Sequence, residues 1–229
     1  MRMMIAAALA ITPLLAKDNS IKRLDEAAIV FSEVMATPDK GIPEDLLARA
    51  HCIVIVPSEK AAAFIVGAKY GKGYVSCRRH GGWSAPGTVI IEGGSFGFQI
   101  GGSTTDVIML VMNQGGEDKL LASKFTLGAD ASVAAGPVGR TASAETDLQM
   151  HAEILSWSRS QGLFAGVALE GATLRQDLND NAQIYGRKLD NREILTKSVR
   201  TPRAAAKLIN ELDRHPSRER TVASNAGRH

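Results

Sequence analysis

Residues 51–79, HCIVIVPSEKAAAFIVGAKYGKGYVSCRR, and 81–113, GGWSAPGTVIIEGGSFGFQIGGSTTDVIMLVMN, decide the fold. Cys52–Val56 is a continuous run rich in β-branched residues, the pattern of a buried strand. Phe64–Tyr70 and Gly73–Arg79 flank Gly71 and Lys72, a spacing that predicts a hairpin with its turn at that pair. Gly81–Gly82 and Ala85–Pro86–Gly87 then break the pattern. Thr88–Ile91, Phe96–Ile100 and Val107–Met112 read as further strands.

On both sides of these strands the periodicity becomes helical. Ile21, Leu24, Ala28, Phe31 and Met35 recur at three- and four-residue spacing and predict a helix over 19–36, stopped by Pro38. A second short helix fits 43–50, with Pro43 in its first turn. C-terminal to the strands, 117–123 suits a short helix and 164–169 a strand. Residues 150–159 fit either element. Residues 174–185 and 202–214 are predicted helices. The expected fold class is α+β: a curved, mainly antiparallel sheet of short strands, with amphipathic helices at the N- and C-terminal ends.

The chain has 229 residues, 45% hydrophobic and 22% charged. That excludes wholesale disorder and a collagen-like repeat. The formal net charge is only +3, too weak overall to argue for nucleic acid. Residues 197–229 hold eight Lys/Arg and three Asp/Glu, whereas 1–196 hold nineteen and twenty-one. The basic excess therefore sits in the C-terminal segment, read as a solvated tail. Residues 1–16, MRMMIAAALAITPLLA, combine Arg2 with a short apolar run and read as an export signal. The expected organisation is a signal at 1–16, one domain at 17–196, a helix at 197–214 and a basic disordered tail at 215–229. Export would place the chain in the periplasm, or at a membrane from outside the cytoplasm.

Two cysteines, Cys52 and Cys77, remain beyond that signal. An even count in an oxidising compartment favours one disulfide. Free thiols, or a metal held with His51 and His80, are the alternatives. The metal reading is the harder one, because neighbours on a strand face opposite sides.

Gly93-Gly94-Ser95-Phe96-Gly97 matches the pattern of a hydrolase nucleophile elbow, which needs a strand, a sharp turn and then a helix. Phe96, Phe98 and Ile100 alternate instead as a strand, so the glycines read as devices for close backbone packing. The glycines do not have dinucleotide-binding spacing, and there is no P-loop, H-E-x-x-H or EF-hand loop. Neither a cofactor nor a metal is expected. The most informative local feature is electrostatic. No acidic residue occurs between Glu59 and Glu92, while Lys60, Lys69, Lys72, Arg78 and Arg79 fall inside that interval. A hairpin turn at Gly71–Lys72 would present Lys69 and Lys72 beside Tyr70 and Trp83, a grouping suited to an anionic headgroup.

The run from His51 to Arg78, the run from Gly81 to Asn113, and SWSRSQGLFAGVALEGATLRQD at 156–177 resemble the SYLF domain family. The resemblance covers roughly residues 20–190. It implies lipid binding, since eukaryotic members bind phosphoinositides and related anionic lipids and some bundle actin. Bacterial relatives are typically small exported proteins or lipoproteins. In eukaryotic members an amphipathic N-terminal helix touches the membrane; the matching segment here is Ile21–Met35, with Lys22 and Arg23 as its cations.

Together these readings predict a non-enzymatic peripheral protein that recognises anionic phospholipid (phosphoinositide-like or phosphatidic-acid-like headgroups). The expected lipid-binding residues are Lys22, Arg23, Lys69, Lys72, Arg78 and Arg79, and any protein partner is unknown. The alternatives are a structural envelope protein acting through protein partners and a serine hydrolase using Ser95.

Overall fold

The computed structural model describes residues 12–37, 41–63, 66–79, 82–96, 101–139, 151–160 and 162–216. Within these, only the backbone is described at 12–18, 60–63, 66–68, 94–96 and 101–103. Helix α1 (Thr12–Met35) and helix α2 (Glu44–Arg49) precede strands β1 (Cys52–Ala63), β2 (Val66–Arg79), β3 (Gly82–Trp83), β4 (Gly87–Phe96) and β5 (Gly101–Val111). Helix α3 (Gln114–Leu120) leads to β6 (Lys124–Thr126), β7 (Val133–Ala135), β8 (Ile154–Ser160), β9 (Leu163–Gly166) and β10 (Thr173–Gln176). Helices α4 (Leu178–Tyr185) and α5 (Asn191–Thr196) come next, then a 3-10 turn (Arg203–Ala205) running into α6 (Ala206–Asp213).

The strands form one curled sheet in the order β6-β10-β4-β2-β1-β5-β8-β7, with β3 beside β2 and β9 beside β8. Pairing is antiparallel apart from the parallel contact of β7 with β8. The α+β expectation, with helices at both ends, holds. No helix among the described residues is long and apolar enough to cross a membrane.

Strand alternation divides the core. Ile53, Ile55, Tyr74, Ile108, Leu110 and Trp157 face one cluster, covered by Leu24, Ala28 and Phe31 of α1 and by Leu208 and Leu212 of α6. Cys52, Val54, Val56, Val75, Cys77, Val107 and Met109 face the other. The apolar stripe that predicted α1 is thus buried on the sheet. Its exposed positions include Lys22, Asp25, Ile29 and Glu33.

The predicted turn at Gly71–Lys72 does not exist. β2 runs unbroken through it, pairing Lys72 with Ile90 and Gly73 with Val89 of β4. The connection to β1 lies between Ala63 and Val66, at residues outside the described set. Gly73 serves close approach rather than a turn: a Cβ there would sit 2.2 Å from the Ile55 carbonyl oxygen. The crowding comes from a bulge in β1. Between the pairs Ile55↔Tyr74 and Lys60↔Tyr70, β1 holds one more residue than β2. The extra length accommodates Pro57, which has no N–H to give a ladder, and Ser58 at φ +56°. The Ser58 N–H donates to Asp106 Oδ1 at 3.0 Å.

Two other boundaries shift. The helix expected over 174–185 is a strand to Gln176 and a helix from Leu178, because Leu174 and Arg175 are paired between β4 and β6. Phe96 ends β4, and 97–100 lie outside the described residues.

Candidate functional site

The six expected lipid-binding cations do not converge on one patch. Lys72, on the α1 side of the sheet, places Nζ 2.5 Å from Asp177 Oδ2 and 3.2 Å from Asp180 Oδ1. Arg23 of α1 reaches the same carboxylate, with Nη1 2.8 Å from Asp180 Oδ2. Asp177 caps α4, accepting from the Asn179 and Asp180 N–H groups. The Tyr74 hydroxyl donates to the Ser20 carbonyl at 2.5 Å. These contacts fasten α1 and α4 to mid-sheet. Burial alone would raise the Asp177 carboxyl, but Lys72 and the two amides hold it below the usual range. Burial would lower Lys72; its two carboxylate partners raise it instead.

Arg79 is also used internally. Its Nε donates to the Leu195 carbonyl at 2.6 Å and its Nη2 to Glu117 Oε1 at 3.0 Å. The other Glu117 oxygen lies 3.1 Å from His51 Nδ1. Arg78 stacks 4.2 Å from the Trp83 ring centroid and donates from Nη2 to the carbonyls of Leu47 and His215. Trp83 is 7% exposed and donates from Nε1 to the Leu212 carbonyl, so it is a core residue and not an interfacial one. His215, expected in the tail, packs its ring edge-on against Phe31.

Of the six, only Lys22 is exposed. The Lys22 side chain is 77% exposed and pairs only loosely with Glu26, at 3.7 Å. Lys69 is half-buried, and its charge offsets part of the burial that pushes the Glu59 carboxyl upward. Glu59 is buried at the β1 bulge, and its Oε1 has no hydrogen-bond partner among the described residues. Asp177, Asp180 and Glu117 are the residues that sequence reasoning missed. Asp177 and Asp180 fall inside the helix expected over 174–185, although an Asp before a helical run is a cap signal.

Cys52 and Cys77 are directly opposed on β1 and β2 and joined as a disulfide. Glu117 lies close to both sulfurs, but the bonded sulfurs leave no thiolate for a metal. His80 lies outside the described residues. Ser95 lies within β4, its backbone opposite Gly67, and not at a strand-to-helix turn. The nucleophile elbow is therefore not formed there.

A family model described as "Ysc84: Las17-binding protein actin regulator" matches residues 92–215. The human "SH3 domain-containing YSC84-like protein 1" is 35% identical over 187 residues, 80% of this chain and 54% of that protein. Its Xenopus laevis counterpart is 34% identical over 180 residues, 77% of this chain and 53% of that protein. The Saccharomyces cerevisiae "LAS seventeen-binding protein 3" is 33% identical over 196 residues, 83% of this chain and 42% of that protein. The chain spans about half the length of the curated relatives it matches. Those relatives are named as binding or SH3-containing proteins.

Proposed function

The chain belongs to the Ysc84 (SYLF) family, and on that premise we propose that it is a non-enzymatic module that docks peripherally on anionic lipid. The observation that carries this reading is the distribution of cations. Arg23, Lys72, Arg78 and Arg79 are engaged inside the fold. The densest run of exposed positive charge is 187–207, where Arg187, Lys188, Arg192, Lys197, Arg200, Arg203 and Lys207 are interspersed in sequence with only Asp190 and Glu193. All seven are exposed, so each contributes about 1 kcal/mol near an anionic surface. Lys22 and Lys69 add to the approach. The buried Cys52–Cys77 disulfide supports the further proposal that the protein works in an oxidising compartment outside the cytosol.

Co-sedimentation with vesicles tests the proposal. Binding to phosphatidylcholine vesicles that contain phosphatidylglycerol is expected at low salt, falling as salt rises. No binding to them at low salt, or equal binding to pure phosphatidylcholine, defeats it.

The relatives' names favour a second reading, docking on a protein of the actin machinery, as "Las17-binding" and "actin regulator" indicate. Co-sedimentation with filamentous actin without lipid separates the two.

A further inference from the structure

The C-terminal basic segment has the composition of a solvated tail, yet its first part is folded and lines a cleft. The cleft has a volume of about 460 Å³, within the range of about 300–1,000 Å³ that small-molecule sites occupy. Arg187, Arg200 and Arg203 stand around it, and no acidic residue lines it. All three are exposed. None of the three side chains makes an ion pair or hydrogen bond to another described residue. They differ in this from Arg23, Arg79, Arg159 and Arg175, each of which holds a carboxylate.

The local fold explains the convergence. α4 ends at Gly186, whose φ of +70° turns the chain back and sets Arg187 at the rim. Pro202 opens the 3-10 turn, placing Arg200 and Arg203 on either side of it. The remaining wall is largely apolar: Ile184, Val199 and Pro202, with the Tyr185 ring. The Tyr185 hydroxyl already donates to the Pro86 carbonyl at 2.7 Å, so the ring acts as wall and not as ligand. Thr201 adds a hydroxyl.

Three guanidinium groups without a counter-charge, over an apolar floor, match one chemistry. Guanidinium is planar and pairs bidentately with phosphate oxygens, and the floor suits a short carbon stem. We infer that this cleft binds a phosphate monoester carried on an apolar stem. The group has two sources, a phosphatidic-acid-type headgroup or a soluble phosphate ester. The first rests on the lipid reading above; the second does not.

The test uses the full chain, glycerol 3-phosphate by calorimetry, and phosphatidylcholine vesicles with and without phosphatidic acid by co-sedimentation. The variants are Arg187→Ala/Arg200→Ala/Arg203→Ala and, as a control, Lys119→Ala/Lys124→Ala, two exposed lysines on α3 and β6. Arg200→Gln alone covers the case in which the triple variant loses its cooperative melt. The expected result is binding of glycerol 3-phosphate and of phosphatidic-acid vesicles by the native chain. The triple variant weakens both at least tenfold, Arg200→Gln weakens both measurably, and the control leaves the calorimetry unchanged. Unchanged vesicle binding by a folded triple variant overturns the cleft and leaves the lipid reading standing. Binding of glycerol 3-phosphate alone, lost in the triple variant, keeps the cleft for a soluble ester and ends the lipid reading. No binding of either probe by the native chain overturns both.

Discussion

Lys72 projects from the middle of β2 onto Asp177, the residue that caps α4, with 2.5 Å between Nζ and Oδ2. One ammonium thereby joins the sheet to the N-terminus of a helix more than a hundred residues away in sequence. Asp180 shares that charge and passes it on to Arg23 of α1. Lys72→Met leaves two carboxylates, at 5% and 8% side-chain exposure, with Asp180 still paired to Arg23 and Asp177 without its ion-pair partner. Removing one partner of such a pair costs about 3 kcal/mol, because the other charge stays buried. Urea unfolding is expected to show that loss, while vesicle binding by the folded fraction is unchanged. Weakened lipid binding at undiminished stability would return Lys72 to the membrane surface.

The same pair sets a direction for acid sensitivity. The folded Asp177 carboxyl lies below its unfolded value, so the unfolded chain takes up the proton first. Its contribution is whole above the unfolded pKa, about 3.9, and is lost as pH falls through the depressed folded value. Stability is therefore expected to drop as pH falls below about 4, and Lys72→Met to flatten that slope. Equal slopes in native and variant protein would show that the pair does not carry the effect.

Much of the fold was legible because strand alternation and helical periodicity are local signals. The buried face of α1 and the strand at Cys52–Val56 follow from spacing alone, and the cysteine pair from an even count read together with an expected oxidising compartment. The turn misplaced at Gly71–Lys72 shows where such reading stops. A glycine beside a lysine signals a turn only if nothing else requires the glycine, and here the requirement comes from the β1 bulge lying across it. The lipid-binding set met the same limit. A stretch free of acids reads as a cationic surface, but Asp177, Asp180 and Glu117, distant in sequence, neutralise Lys72 and Arg79 in space.

Gly73 gives that correction a direct test. Adding a methyl group at this position drives it into the Ile55 carbonyl oxygen and the Val56 Cα, at 2.2 and 2.7 Å. Both are backbone, so the strands must separate. Gly73→Ala is expected to destabilise by about 3 kcal/mol, the upper end of overpacking costs. A melting temperature within a degree or so of the native protein, roughly the scatter of ordinary surface substitutions, would mean that the strands are not so close.

Glu59 has the opposite sign to Asp177. Burial raises its carboxyl, and Lys69 only partly opposes this. Its stabilising contribution is complete below the unfolded pKa, about 4.3, and is lost as pH rises through the higher folded value. Glu59→Gln removes the ionisation and is expected to stabilise the protein at neutral pH by about 1 kcal/mol, the low end of the cost of an unsatisfied buried group. The gain should vanish in acid. A gain that persists unchanged in acid would assign the effect to packing.

The disulfide carries the last expectation. Cys52 and Cys77 face each other on adjacent strands and are fully buried. The bond closes a short loop that the β1–β2 pairing already closes in the native state, so its effect falls on the unfolded chain. Cys52→Ala/Cys77→Ala is expected to lose about 3 kcal/mol without altering the β1–β2 register, because Val54, Val56 and Val75 still pack around the pair. Comparison of urea midpoints under oxidising conditions measures the loss. In a reducing buffer the native chain should fall to the value of the variant, since the unfolded form then bears no crosslink. A native chain that keeps its midpoint through reduction of the unfolded state would show that the two sulfurs add no constraint.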